Sequence, residues 1–141
     1  SVATKARIVA SDPNEAGPRK ALNLGHTFAH AIEQAAGPGL LPHGIAVAVG
    51  CALALKASED TGLLIDPELP KRFARLAAAL GLPTQLTTLR EATSLKLSPE
   101  ELFSAMSHDK KSSAGAPRFV LPRCAGDIAL DIELEPLALL A

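Results

Sequence analysis

Apolar residues recur along this chain mostly at the three- and four-residue intervals of helices, and the interruptions fall at proline, glycine and asparagine clusters. Residues 1–10 predict a short helix with Val2, Ile8 and Val9 as its apolar positions. It stops at Ser11-Asp12-Pro13, because proline disfavours the α region for the residue before it. Asn14 to Pro18 reads as a turn, and Pro18 suits the first turn of a following helix. From Arg19 to Glu33 the spacing predicts one continuous helix, ended by Gly37-Pro38-Gly39. Leu24, Phe28, Ala31, Ile32 and Ala35 share its core-facing arc. At ~100° per residue, Arg19, Asn23, His26, His30 and Glu33 fall within an arc of roughly 80° on the other side.

His43 opens an uncharged run to Leu55 in which apolar and small residues alternate, as in a strand. Its length and alanine content favour a buried helix, continued by Lys56 to Glu59 and closed by Gly62. Gly44, Ala48 and Ala52 would let another helix approach closely. A further helix is expected over Asp66 to Leu80, burying Leu69, Phe73, Leu76 and Leu80 and ended by Gly81 and Pro83. Thr84 to Leu97 is a weak helix or a connection. Ser98-Pro99-Glu100-Glu101 has the form of a capping box, so Pro99 to His108 should be helical, with Leu102, Phe103 and Met106 inside. Asp109 to Gly115 reads as a loop. Phe119-Val120-Leu121 and Ile128 to Ile132 can pair as a hairpin across Pro122 to Asp127, and Pro136 to Leu140 as a last helical turn.

Composition sharpens this to one mainly α domain with at most a short β-hairpin near residues 118–132. The chain has 141 residues, 48% of them hydrophobic but only 3% aromatic, so its core must be filled by alanine and leucine, which suits packed helices. A net charge of -1 gives no basic patch for nucleic acid. No apolar run is long enough to span a bilayer, and residues 1–9 lack a signal-peptide core, so a cytoplasmic location away from membranes is expected. Ser1 stands where an initiator methionine would, which suggests processing or a piece of a longer chain. Cys51 and Cys124 are the only cysteines, and Cys51 in its apolar run is expected to be a buried free thiol.

The polar stripe carries the candidate chemistry. A column of Arg, Asn, His and His differs from the Lys and Glu pairs of solvated helix faces; such groups bind anions and metals. His26 and His30, four residues apart, can share a metal, and His43 can fold back beside them if the two helices are antiparallel. Spacing alone does not choose among the three. A thermolysin-type site is excluded, since Thr27 stands where the general-base Glu would be needed.

A specific resemblance rests on Lys5, Asp12 and Glu15, then Arg19-x-x-x-Asn23-x-Gly25-His26-Thr27-x-x-His30-Ala31-x-Glu33. It continues through His43-Gly44-x-Ala46-Val47-Ala48-x-Gly50, Asp109-Lys110-Lys111 and Phe119 to Pro122. Over about Lys5 to Gly126 the chain resembles the C-terminal half of 3-dehydroquinate synthases. That resemblance implies the helical C-terminal domain of a two-domain lyase whose N-terminal NAD-binding domain is absent from this chain. It also implies cofactors NAD and zinc (or cobalt), a phosphorylated sugar acid as substrate, 3-deoxy-arabino-heptulosonate 7-phosphate, and a homodimer. By position, His26 and His43 resemble metal ligands, with a third ligand, a Glu, upstream of Ser1. His30 resembles a catalytic residue that assists proton transfer near the phosphate. Lys5, Arg19 and Asn23 resemble substrate contacts, and Lys110 or Lys111 should complete the set. No residue of this chain is expected to bind NAD by itself, and the isolated chain is expected to be inactive.

Two positions depart from the family pattern. Ile45 replaces the Glu that commonly follows His-Gly, and Ala29 replaces a Gly. The alternatives are another sugar-phosphate cyclase, such as a 2-deoxy-scyllo-inosose synthase-like enzyme acting on a substrate without the carboxylate, and a non-catalytic metal-binding helical domain. The related polyol dehydrogenases would be expected to have less of the Arg19–Asn23 pair and no Asp-Lys-Lys loop.

Overall fold

The computed structural model of the protein describes residues 2–95, 97–109 and 117–134. Helices lead the order: α1 (Val2–Ser11), a 3₁₀ helix (Pro18–Asn23), α2 (His26–Ala36), α3 (His43–Asp60), α4 (Leu69–Ala79), α5 (Leu86–Thr93) and α6 (Pro99–Asp109). Strands β1 (Arg118–Cys124) and β2 (Asp127–Glu133) follow as an antiparallel hairpin. The mainly α fold with one hairpin is the one expected. Lys110, Lys111 and the turn proposed over Pro136 to Leu140 lie outside the described residues.

The core forms where α2 packs between α3, α6 and β1. Phe28 and Ile32 of α2 meet Val49 of α3, Leu102 and Met106 of α6, and Phe119 and Leu121 of β1, all at most 3% exposed. The Phe28 and Phe119 rings pack with centroids 5.0 Å apart. Helix α3 settles the ambiguous uncharged run: Ala46 and Ala57 are buried on one side of it and Ala48 and Leu55 on the opposite side, as expected of a helix surrounded by protein. The capping box of α6 is made as expected, with the Glu101 amide donating to Ser98 Oγ and the Ser98 amide to Glu101 Oε2.

Four expectations are corrected. The helix predicted from Arg19 to Glu33 is two elements, a 3₁₀ helix and α2, broken at Leu24-Gly25. Gly25 has φ +76, and a Cβ there would lie 2.6 Å from the Cys51 amide nitrogen, so two backbones meet where helical periodicity shows only another small residue. The close approach uses Gly25 and Gly50, not Gly44, around which a Cβ would meet open space. Helix α4 runs from Leu69 to Ala79 rather than from Asp66 to Leu80, and its Leu76 and the capping Leu80 are 61% and 65% exposed instead of buried. Pro122 sits inside β1, paired with Ile128, and the turn is Ala125-Gly126; a two-stranded sheet has only edges, where proline is tolerated.

Candidate active site

The break at Gly25 turns the polar stripe into a cleft. Helix α2 carries His26, His30 and Glu33 on one face, and the 3₁₀ helix brings Arg19, Lys20 and Asn23 to the mouth at a different angle. Arg19 and Asn23 are therefore next to the histidines but do not share their helical arc. The main cleft, of about 410 Å³, is walled by Glu15, Asn23, His26 and His30 on one side and by Arg118, Val120 and Asp131 of the hairpin on the other. A smaller lobe of about 190 Å³ holds Lys5 and Arg19 and shares Glu15, Asn23 and His26 with the first. Lys5, Arg19, Lys20 and Arg118 outnumber the carboxylates Glu15 and Asp131 around the two lobes. The cleft thus favours anions.

Of the three imidazoles, His26 and His30 line the cleft, and His43 lies beside them. Ring centroids are 5.4 Å apart for His26 and His43, 5.8 Å for His26 and His30, and 6.3 Å for His30 and His43. Two imidazoles sharing a tetrahedral zinc, with ~2.0 Å bonds, place their centroids roughly 5 Å apart, so His26 and His43 are the pair nearest that spacing. Their surroundings also differ from those of His30. His26 Nδ1 donates to the Leu24 carbonyl at 3.2 Å, and His43 Nδ1 lies 2.9 Å from Glu33 Oε1. Both bonds leave Nε2 to face a ligand, and a partner on the other ring nitrogen is what a metal-binding histidine needs. His30 has no such bond among the described residues and lines the open cleft. No three His, Cys, Asp or Glu side chains among the described residues are arranged to hold a metal ion together. Among the described residues, His26 and His43 are thus the imidazole pair whose spacing and outer partners fit a shared metal.

The other expected residues fall as follows. Lys5 and Arg19 lie in the smaller lobe, where Arg19 Nη1 donates to the Pro13 carbonyl at 2.8 Å and Nε lies 3.8 Å from Glu15. Asn23 stands between the lobes and donates through Nδ2 to Glu15 Oε1. Asp12, nearly buried, accepts the amides of Ala16, Gly17 and Arg19 at 3.0, 2.8 and 3.1 Å. These bonds, Gly17's foremost, hold its carboxyl below the usual carboxylate range, against the opposing effect of burial. Cys51 donates its thiol to the Leu24 carbonyl, and burial pushes that thiol up, keeping it protonated. Ile45 packs against the core, so the position where a Glu is usual is a packing position here.

Sequence reasoning assigned no role to Glu15, Lys20, Thr27, Arg118 or Asp131, all of which line the main cleft. For Glu15 a signal existed, since it stands four residues before Arg19. For Lys20 none did, because its partner Asp131 is 111 residues away.

Comparison with known proteins places this architecture. A family profile described as 3-dehydroquinate synthase C-terminal matches residues 1–112. The chain belongs to the 3-dehydroquinate synthase C-terminal family. Proteins named 3-dehydroquinate synthase that it is similar to include one from Cereibacter sphaeroides, 45% identical over 127 residues, covering 89% of this chain and 33% of the relative. One from Caulobacter vibrioides is 44% identical over 136 residues, covering 94% and 36%. One from Desulforamulus reducens is 38% identical over 137 residues, covering 97% and 36%. The chain thus spans about a third of the length of these relatives. Among solved structures, it is similar to 2-epi-5-epi-valiolone synthase from Streptomyces hygroscopicus subsp. jinggangensis with NAD+ and Zn2+ bound. The TM-score is 0.75 at 24% identity, over 98% of this chain and 36% of that one, and the likeness is one of fold. Among the described residues, no helix of this family member is long and apolar enough to cross a membrane.

Proposed function

We propose that the chain is the metal- and substrate-binding part of a 3-dehydroquinate synthase, converting 3-deoxy-arabino-heptulosonate 7-phosphate to 3-dehydroquinate with loss of phosphate. The observation that carries this is that His26, whose ring lies 5.4 Å from that of His43, lines a cation-rich cleft together with Lys5, Arg19 and Asn23. A helical storage domain would have no use for the cations. An NAD-binding domain and the third metal ligand are expected from the remainder of a longer protein.

In this proposal His26 and His43 hold the metal through Nε2, with Leu24 and Glu33 fixing each ring from behind. The chemistry supplied there by a bound metal would be Lewis-acid polarisation of a substrate hydroxyl, and by NAD a reversible hydride acceptor. Arg19, Lys5 and Asn23 hold the substrate's carboxylate, phosphate and hydroxyls, and Arg19 and Asn23 are partly set in place beforehand by Pro13 and Glu15. His30, with its ring in the open cleft, exchanges a proton near the leaving phosphate. Lys110 or Lys111 is proposed to add a further cation.

The test is phosphate release by the full-length protein, supplied with NAD and zinc, from 3-deoxy-arabino-heptulosonate 7-phosphate and, in parallel, from glucose 6-phosphate. Release from the acid substrate alone is expected. Release from glucose 6-phosphate alone would replace this proposal with an inosose-type cyclase.

A further inference from the structure

The hairpin wall of the cleft contains an irregularity that the activity proposed above does not use. Phe119 pairs with Ile132 and Leu121 with Ala129, so one residue of β1, Val120, stands opposite two of β2, Leu130 and Asp131. Asp131 has φ 55. This is a β-bulge with its extra residue in the left-handed region, where aspartate is among the few side chains tolerated.

The bulge changes which way the strand points. Residues three apart in an unbroken strand face opposite sides, yet Ala129 is buried opposite Leu121, and Ile132 packs against the core cluster opposite Phe119. The inserted residue makes that possible and leaves Asp131 on the cleft side with Val120. There its Oδ2 lies 2.7 Å from Lys20 Nζ, on the 3₁₀ helix next to Arg19. A second tie holds the same wall, since Thr27 Oγ1 donates to the Arg118 carbonyl at 3.0 Å.

We propose that Lys20 and Asp131 are a positioning pair for the substrate cleft: the bulge aims Asp131 at Lys20, and the pair fixes the hairpin wall, with Arg118, against the segment bearing Arg19 and Asn23. The two side chains are 32% and 39% exposed, and pairs so exposed add little to stability. A bulge and a left-handed aspartate are a poor bargain for stability alone; such features cluster where a side chain must be aimed at a functional site. The proposal rests on the proposed function only for the identity of the substrate used to read it.

The experiment is a double-mutant cycle in the full-length protein with Lys20→Met, Asp131→Asn and both. Asparagine keeps the shape and the left-handed tolerance of aspartate and removes only its charge. KM, kcat and Tm are measured for phosphate release from 3-deoxy-arabino-heptulosonate 7-phosphate. Each single variant is expected to raise KM about threefold to fivefold, with kcat within about twofold. The double variant should be no worse than Lys20→Met alone, because both changes remove the same interaction. An unchanged KM with a lowered Tm would make this an ordinary surface pair and overturn the proposal. So would an additive double variant, which would mean that Lys20 meets the substrate by itself. If the wild type releases no phosphate from this substrate, the proposed function fails instead, and the same cycle is read by calorimetric binding of inorganic phosphate. Affinity should then fall by about the same factor; unchanged affinity would overturn the pair.

Discussion

At the scale of single residues, the site depends on groups that touch no ligand. Glu33 holds His43 Nδ1 at 2.9 Å, so Glu33→Ala in the full-length protein should weaken zinc affinity roughly tenfold or more, measured by competition with a chelator. Undiminished affinity would mean that Glu33 does not orient the ring. Asp12 acts one step further back, gathering three amides around the turn that presents Arg19. Its carboxyl is held below the usual carboxylate range, so its stabilising contribution is fully present above the unfolded value of about 3.9 and is lost as pH falls through the folded one. Urea unfolding of wild type and Asp12→Asn across pH should therefore show a constant gap above about pH 5 that closes in stronger acid. A gap that widens in acid would reverse the assignment.

At the scale of elements, the decisive contact is backbone against backbone. Gly25, at φ +76, leaves no room for a side chain against Gly50 and Cys51 of α3. Gly25→Ala should therefore cost roughly 2–4 kcal/mol in urea unfolding, combining the left-handed penalty with steric overlap. A loss below about 0.5 kcal/mol, the range of ordinary surface changes, would show that the two backbones can separate freely. This contact also explains how much was legible in the sequence. Helix existence, the capping box of α6 and the hairpin follow from local periodicity and local hydrogen bonding. The break in the stripe does not, since a glycine inside a helical pattern looks the same whether it is tolerated or required. The exposure of Leu76 and Leu80 was hidden for a related reason. Periodicity shows that α4 has an apolar face, but not whether another element covers it. The bulge at Asp131 and its partnership with Lys20 depend on a register set far away along the chain.

At the scale of the molecule, the chain spans about a third of its relatives, and the proposed chemistry needs groups it does not contain. Expressed alone, it should bind neither NAD nor zinc tightly and should show no turnover, by calorimetry and phosphate release; robust NAD-dependent turnover by the isolated 141 residues would contradict this. The candidate site residues stood out in the sequence as a motif, but the proposed division of labour among them was not a matter of spacing. His26, His30 and His43 lie within hydrogen-bonding neighbourhoods that differ, and only the fold shows which rings are held from behind. The most direct test of that division is the zinc content and turnover of the full-length protein carrying His26→Ala, His43→Ala or His30→Ala. The first two should lose zinc and activity together, whereas His30→Ala should keep its zinc and lose at least about a hundredfold in kcat. Zinc retained by His26→Ala, or lost by His30→Ala, would contradict the account.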